Sequence, residues 1–250
     1  MIDKETLVKM SKVYHLRPWQ QEKHYLQAVV LTALAEQPVV FKGGTYLWFF
    51  HGLDRFSEDL DFTYVGTPRE GLPKEISETL KFFGIENTLK IIESGERSLS
   101  FRLSAKGPLT TSTKDVCQVY VEASLREPVL KPTLPLKIDF DAYKLPVKIV
   151  RGMALEEVAA EKVRAIMTRD KARDVYDLAF LVKTKNVKVE LAVINKKLAY
   201  YQLAFSNDAF KEKLNEKEDY WKSELQSMVF GELPDFRAAV QSILARFDLG

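Results

Sequence analysis

FKGGTYLWFFHGLDRFSEDLDF, residues 41–62, decides how this chain is read. A short β-branched and aromatic run, Val39-Val40-Phe41, predicts a buried strand. Gly43-Gly44 breaks it, and Thr45 to His51 reads as a helix. Two glycines let the backbone turn sharply and leave no Cβ in a ligand's way. The helix that follows offers unpaired N–H groups and a positive dipole end, which suit a phosphate. A plain tight turn accounts for the same letters. Residues 59–65 return to strand. Residues two apart on a strand share a face, so Asp59 and Asp61 point one way and Leu60 and Phe62 the other. Two carboxylates at that spacing repel unless a cation binds them. Mg²⁺ fits, since one or two carboxylates plus substrate phosphates commonly hold it. A solvent-facing edge strand with two harmless aspartates is the competing reading.

Working outward, helical periodicity covers 3–14 and 18–36, with Pro18 where a helix can start and Pro38 closing the second. Residues 73–84 read as a helix. From 87 to about 150 the pattern favours strands, as TLKIIE, RSLSFRLSA, VCQVYVEASL, LKIDF and VKIV. From Leu155 the pattern is helical, with breaks near 171, 186, 206 and 233. The expected fold class is therefore α+β, with a boundary near Arg151-Gly152.

Composition narrows the classes. The 250 residues suffice for one large domain or two modest ones. A net charge of +2 gives no global field toward nucleic acid. Residues 126–173, however, hold eleven Lys/Arg against seven Asp/Glu, which points to an anionic ligand or to a solvated face. The single cysteine, Cys117, excludes an internal disulfide and suits a reducing compartment. MIDKETLVKM has no apolar core of signal-peptide length, and no run approaches the ~18 apolar residues of a membrane span. A cytoplasmic location with no membrane partner is expected. No P-loop, GxGxxG or GxSxG pattern occurs, and no His/Cys spacing suggests zinc.

Further candidates lie downstream. Glu122 sits on the polar face of a strand whose Val119, Val121 and Ala123 face the other way. In LKIDFDAY, Asp139 and Asp141 alternate with Ile138 and Phe140. Either strand could supply a third ligand or a base, and spacing alone does not choose. Leu155, Ala159, Lys162, Ile166 and Arg169 form one helical stripe, which puts Lys162 mid-way along an apolar face. Such a lysine snorkels to water or reaches a cleft as a point charge for phosphate. In ARDVYDLAFLV, Asp174 and Asp177 are i, i+3 neighbours, and Arg173 with Asp177 is i, i+4. Helix-end electrostatics and a surface pair account for these acids.

KGGTYLWFFHGLDRFSEDLDF, VYVEASLRE, LEEVAAEKVRAIMTR and RDVYDLAF, in that order over residues 39–182, resemble the nucleotidyltransferase toxins of the AbiEii/AbiGii type. These belong to the DNA-polymerase-β-like nucleotidyltransferase superfamily. The resemblance implies a nucleotidyltransferase domain over 1–151, a small mixed sheet with flanking helices. It also implies a helical domain over 152–250 that completes the active-site cleft. It implies transfer of NMP from an NTP to an acceptor hydroxyl with release of pyrophosphate. It further implies Mg²⁺ in a two-metal site (Mn²⁺ as substitute), an RNA acceptor such as the 3′ end of tRNA, and a cognate antitoxin. By position it makes Asp59, Asp61 and Glu122 metal-binding and catalytic, which favours Glu122 over Asp139 and Asp141. Lys162 and Asp174 join them as catalytic. Lys42, Gly43, Gly44, Thr45, Ser57, Lys162 and Asp177 become nucleotide-binding. Between the glycines and the aspartates, Arg55 and Ser57 are either surface connectors or supports. The alternatives carried forward are a protein or small-molecule acceptor, and a nucleotide-binding regulator without turnover.

Overall fold

The structure is a computed structural model describing residues 1–112 and 114–247. It divides into two compact units. The first comprises Met1–Tyr46, Glu58–Val129 and Thr133–Gly152. The second comprises Leu47–Ser57, Leu130–Pro132 and Met153–Gly250, of which 248–250 lie outside the described residues.

The first unit is built on a seven-stranded mixed sheet. Its strands are β1 (Val39–Lys42), β2 (Asp59–Tyr64), β3 (Asn87–Ser94), β4 (Ser98–Ala105), β5 (Cys117–Ser124), β6 (Leu134–Ile138) and β7 (Lys148–Gly152), in spatial order β3-β4-β5-β2-β1-β7-β6. β2 runs antiparallel to β1 and parallel to β5, while β4 runs antiparallel to both β3 and β5. β1 is buried throughout, as the apolar run predicts. In β4 and β5 burial alternates. Leu99, Phe101, Leu103, Val119, Val121 and Ala123 are buried, and Ser100, Arg102, Tyr120 and Glu122 face the other way, partly exposed. Phe41 of β1 stacks on Phe62 of β2 with ring centroids 4.9 Å apart, which locks the core side of the β1–β2 pair.

Helices α1 (Lys4–Val13), α2 (Pro18–Leu34) and α4 (Leu72–Phe82) belong to this unit. α2 packs on β5, β7 and α4. Burial almost all round explains why α2 carries polar side chains that bind backbone: Gln27 Nε2 donates to Glu58 O at 2.8 Å, Lys23 Nζ donates to Gln118 O, and Glu22 Oε1 accepts from Leu109 N at 2.6 Å. Each satisfies a polar group that would otherwise be costly to bury. The strand expected over 136–140 is Leu134–Ile138 instead, and Asp141–Tyr143 forms a 3₁₀ turn. Asp139 and Asp141 therefore lie past the strand end, and Asp139 pairs with Lys137.

The second unit packs α5 (Leu155–Thr168), α6 (Ala172–Lys183), α7 (Leu191–Ala199), α8 (Asn207–Asn215), α9 (Glu218–Leu225) and α10 (Phe236–Leu244). α5 contacts α6, α7 and α8, and α6 contacts α9 and α10. Two earlier segments join it for identifiable reasons. Phe56 N donates to Met228 O at 2.7 Å and Phe230 N to Asp54 O at 2.8 Å, while Trp48 packs on Phe56 at 5.1 Å. Leu130 N and Lys131 N donate to the buried carboxylate of Glu157, which Lys197 also binds at 2.6 Å.

Gly152 ends β7 where an added Cβ would lie 2.5 Å from Leu136 Cδ1 and 2.8 Å from the Tyr46 ring. Gly152→Ala should cost about 1–3 kcal/mol through overpacking, read as a lowered midpoint in urea with unchanged slope.

Candidate active site

The geometry begins at the turn after β1. α3 (Gly43–His51) starts immediately at Gly43, whose φ of +81° is in the left-handed region. A Cβ there would overlap the Asp61 carboxylate and lie 2.9 Å from Asp61 Cβ. The glycine is thus required twice, by conformation and by the closeness of Asp61. Thr45 is fully buried, and its hydroxyl donates to Asp59 O at 2.5 Å, so the turn also holds the β2 backbone. Lys42 lies opposite Asp61 in the β1–β2 register, on the same face of the sheet.

β2 presents Asp59 and Asp61 half-exposed while Leu60 and Phe62 are buried, as the alternation predicts. In the parallel β2–β5 register Tyr120 stands beside Asp59 and Glu122 beside Asp61. Asp59, Asp61, Tyr120 and Glu122 line one open depression of about 380 Å³, with Ile92 and Ser100 on its far wall. The Glu122 carboxylate accepts from Arg126 Nη2. Among the described residues no three His, Cys, Asp or Glu side chains are gathered closely enough to hold a metal ion. The donor set that fits a hard dication is the Asp59–Asp61 pair, with water and phosphate supplying the remaining oxygens. Arg126 holds one oxygen of Glu122, which leaves the other oxygen to join the pair.

A second constellation lies wholly within the helical unit. Asp174 and Asp177 of α6 are fully buried, and Lys162 of α5 is 7% exposed. Lys162 Nζ binds Asp174 Oδ1 at 2.9 Å and Asp177 Oδ2 at 2.6 Å. Arg55 grips Asp177 in bidentate fashion at 2.6 and 2.7 Å, and Arg169 grips Asp174 likewise at 2.7 and 2.9 Å. Three cations against two carboxylates leave the cluster with one net positive charge.

The AbiEii family profile, described as a nucleotidyl transferase toxin of a type IV toxin–antitoxin system, matches residues 24–242. The chain belongs to the AbiEii nucleotidyltransferase toxin family. It is an enzyme of nucleotidyl transfer. Among solved structures it is similar to MenT4, the nucleotidyltransferase toxin Rv2826c of Mycobacterium tuberculosis H37Rv, at 17% identity and TM-score 0.68, over 99% of this chain and 89% of that one. It is also similar to JHP933 of Helicobacter pylori, at 20% identity and TM-score 0.62, over 92% and 90%. These likenesses concern the fold. No curated protein matches the chain.

In this AbiEii chain the expected residues fall into two groups. Lys42, Gly43, Gly44, Thr45, Asp59, Asp61 and Glu122 come together around one turn and three strands of the sheet unit. Lys162, Asp174 and Asp177 come together in the helical unit, where Ser57 ends the Leu47–Ser57 segment. The acids of α6 are not surface charges at a helix end. Arg173 pairs with Glu224 at 3.5 Å instead of with Asp177. The sequence left Arg55 undecided. It is 2% exposed and binds Asp177 and Phe56 O, which makes it a support of the helical unit. Its signal was its setting, between Leu53 and Phe56, both buried. The basic side chains of 126–151 are largely engaged: Arg126 with Glu122, Lys131 with Glu190, Lys137 with Asp139, Lys148 with Glu36, and Arg151 with Gln37 O.

Burial alone would raise the carboxyls of Asp174 and Asp177, but the adjacent cations outweigh it and hold both below the ordinary carboxylate value. A depressed folded pKa means that the unfolded chain takes up protons first, near pH 4. The stabilisation is therefore constant above that pH and declines as pH falls through and below it. The part of the urea midpoint that Asp174 and Asp177 supply should hold between pH 7 and pH 5 and drop below pH 4. It comes on top of a separate decline below about pH 6.5, where burial keeps His24 and His51 neutral in the fold while the unfolded chain takes up their protons. Asp174→Asn should show a shallower acid drop. At the turn, Gly43→Ala should lose transfer activity through strain and displacement of Asp61, measured as kcat on any accepted substrate.

Proposed function

We propose that this AbiEii enzyme moves NMP from an NTP to a hydroxyl of an RNA acceptor, the 3′ end of tRNA, in a divalent-metal-dependent reaction, and that a cognate antitoxin restrains it. The observation that carries this reading is the Asp59–Asp61 pair on one open sheet face, with Gly43 packed against Asp61. Asp59 and Asp61 would hold Mg²⁺ or Mn²⁺. When bound, such ions neutralise charge on the triphosphate and on the attacking and leaving oxygens.

The chain's own residues do the rest. The first turn of α3 offers N–H groups without intrahelical partners to the β- and γ-phosphates. Lys42, opposite Asp61, adds positive charge on the same face. The acceptor oxygen attacks the α-phosphorus, the bond to the β-phosphate oxygen breaks, and pyrophosphate leaves with the electron pair. The Glu122 oxygen that Arg126 does not hold accepts the hydroxyl proton. Positioning and charge stabilisation supply most of the acceleration in such chemistry. Lys162, Asp174 and Asp177 carry the nucleotide roles that the family resemblance gives them. Lys162 Nζ carries three N–H donors and its two carboxylate partners take two, so the third is the one a phosphate would take.

The test is a labelled-NTP assay with total RNA, tRNA, total protein and aminoglycosides as separate acceptors. Label should enter RNA, stop with a chelator and return with Mg²⁺ or Mn²⁺. Asp59→Ala and Asp61→Asn should lower kcat by about 10²–10³, the size of loss when a charge-stabilising group is removed. Transfer that survives both substitutions sinks the site assignment, and label on protein or antibiotic alone sinks the acceptor.

A further inference from the structure

The sheet order fixes what flanks the two aspartates on either side. β1 lies on one side and ends in the Gly43 turn. β5, β4 and β3 lie on the other. On their open face, Tyr120 of β5 and Arg102 of β4 are register partners, and the Arg102 guanidinium sits 5.9 Å from the Tyr120 ring centroid. Lys90 of β3 pairs with Arg102 in the next register and is exposed. Ile92, in the irregular stretch of β3 between Ile91 and Glu93, is 54% exposed and lines the same depression as Asp59 and Tyr120. Arg102 Nε is shielded from water and has no hydrogen-bond partner among the described residues. This face therefore has an aromatic ring, an apolar neighbour and a guanidinium whose Nε has no acceptor among the described residues.

We propose that the β3–β4–β5 face is the subsite for the unpaired 3′ end of the RNA acceptor. The terminal base stacks on Tyr120 beside Ile92, and Arg102 and Lys90 meet the adjoining backbone phosphates. This rests on the reading of the enzyme as one that modifies RNA. In-line displacement puts the attacking oxygen opposite the leaving pyrophosphate. The pyrophosphate end belongs at the Gly43 turn, on the β1 side, so the acceptor enters from the β5 side. Sheet faces bearing aromatic and basic side chains recognise unpaired bases in this way, whereas bases in a duplex are already stacked.

The experiment titrates RNA at saturating NTP and, separately, measures NTP affinity of the full-length protein. Tyr120→Ala and Arg102→Met should each raise acceptor KM about tenfold, with NTP Kd nearly unchanged, and Tyr120→Phe should restore acceptor KM. An unchanged acceptor KM in both loss variants overturns the subsite. An equal rise in NTP Kd overturns it too, by giving the ring to the base of the incoming nucleotide. Wild-type protein that labels no RNA refutes the RNA reading itself, and this inference with it. To guard against misfolded variants, RNA ending in 4-thiouridine is cross-linked to the wild-type protein. Adducts on the peptides of β4 or β5 support the subsite, and adducts elsewhere overturn it.

Discussion

The absence of a side chain at Gly43 is the constraint on which the site depends. With φ at +81° the chain leaves β1 and enters α3 with no intervening loop. The missing Cβ lets the Asp61 carboxylate come up against the turn. Thr45 then ties the helix to the carbonyl of Asp59. A helix start with unpaired N–H groups and a pair of carboxylates are thereby fixed to each other by short backbone-level contacts. That rigidity matters because positional errors of an ångström are costly in transfer chemistry. On the other face of β2, Leu60 and Phe62 in the core keep the aspartates from rotating inward.

The helical unit solves a different problem. A buried lysine on an apolar stripe is expensive unless its charge is paired. Lys162 is paired twice, and each of its partners is gripped again by an arginine. Such networks rarely add net stability over an apolar replacement, but losing one member strands the others. The arrangement therefore fixes how α5, α6 and the Leu47–Ser57 segment pack, through specific geometry more than through energy gained. Arg169 is the member that solvent reaches, since about half of its side chain is exposed.

The legible parts of the fold were those governed by local period. The β2 alternation, the Gly-Gly turn, the switch from strand to helical patterning near residue 152 and the breaks between late helices, except the one between α8 and α9, follow from neighbours in sequence. The β6 strand ended early because its Asp and Phe letters continue an alternation that the backbone abandons for a 3₁₀ turn. Arg55, Asp174 and Asp177 were not legible as a cluster. Charged letters near a helix start look the same whether water or a buried counter-ion satisfies them, and Arg55, one of the two partners of Asp177, lies 122 residues away. The assignment of Leu47–Ser57 to the helical unit was hidden for the same reason: it depends on Met228 and Phe230.

Sheet order, also invisible to local pattern, sets what flanks the two aspartates. β2 is flanked by β1 in antiparallel and β5 in parallel register, so the aspartates have a glycine turn on one side and a ring on the other. Those two neighbours cannot exchange roles. The turn has backbone donors and no room for side chains, which suits oxygen-rich phosphate. The Tyr120 side has a π-face and a guanidinium, which suit a base and its phosphate. A single strand carrying Asp-Leu-Asp would hold an ion in either setting. On the proposed reading, it is the asymmetry of its neighbours that would give the leaving group and the attacking group separate sides.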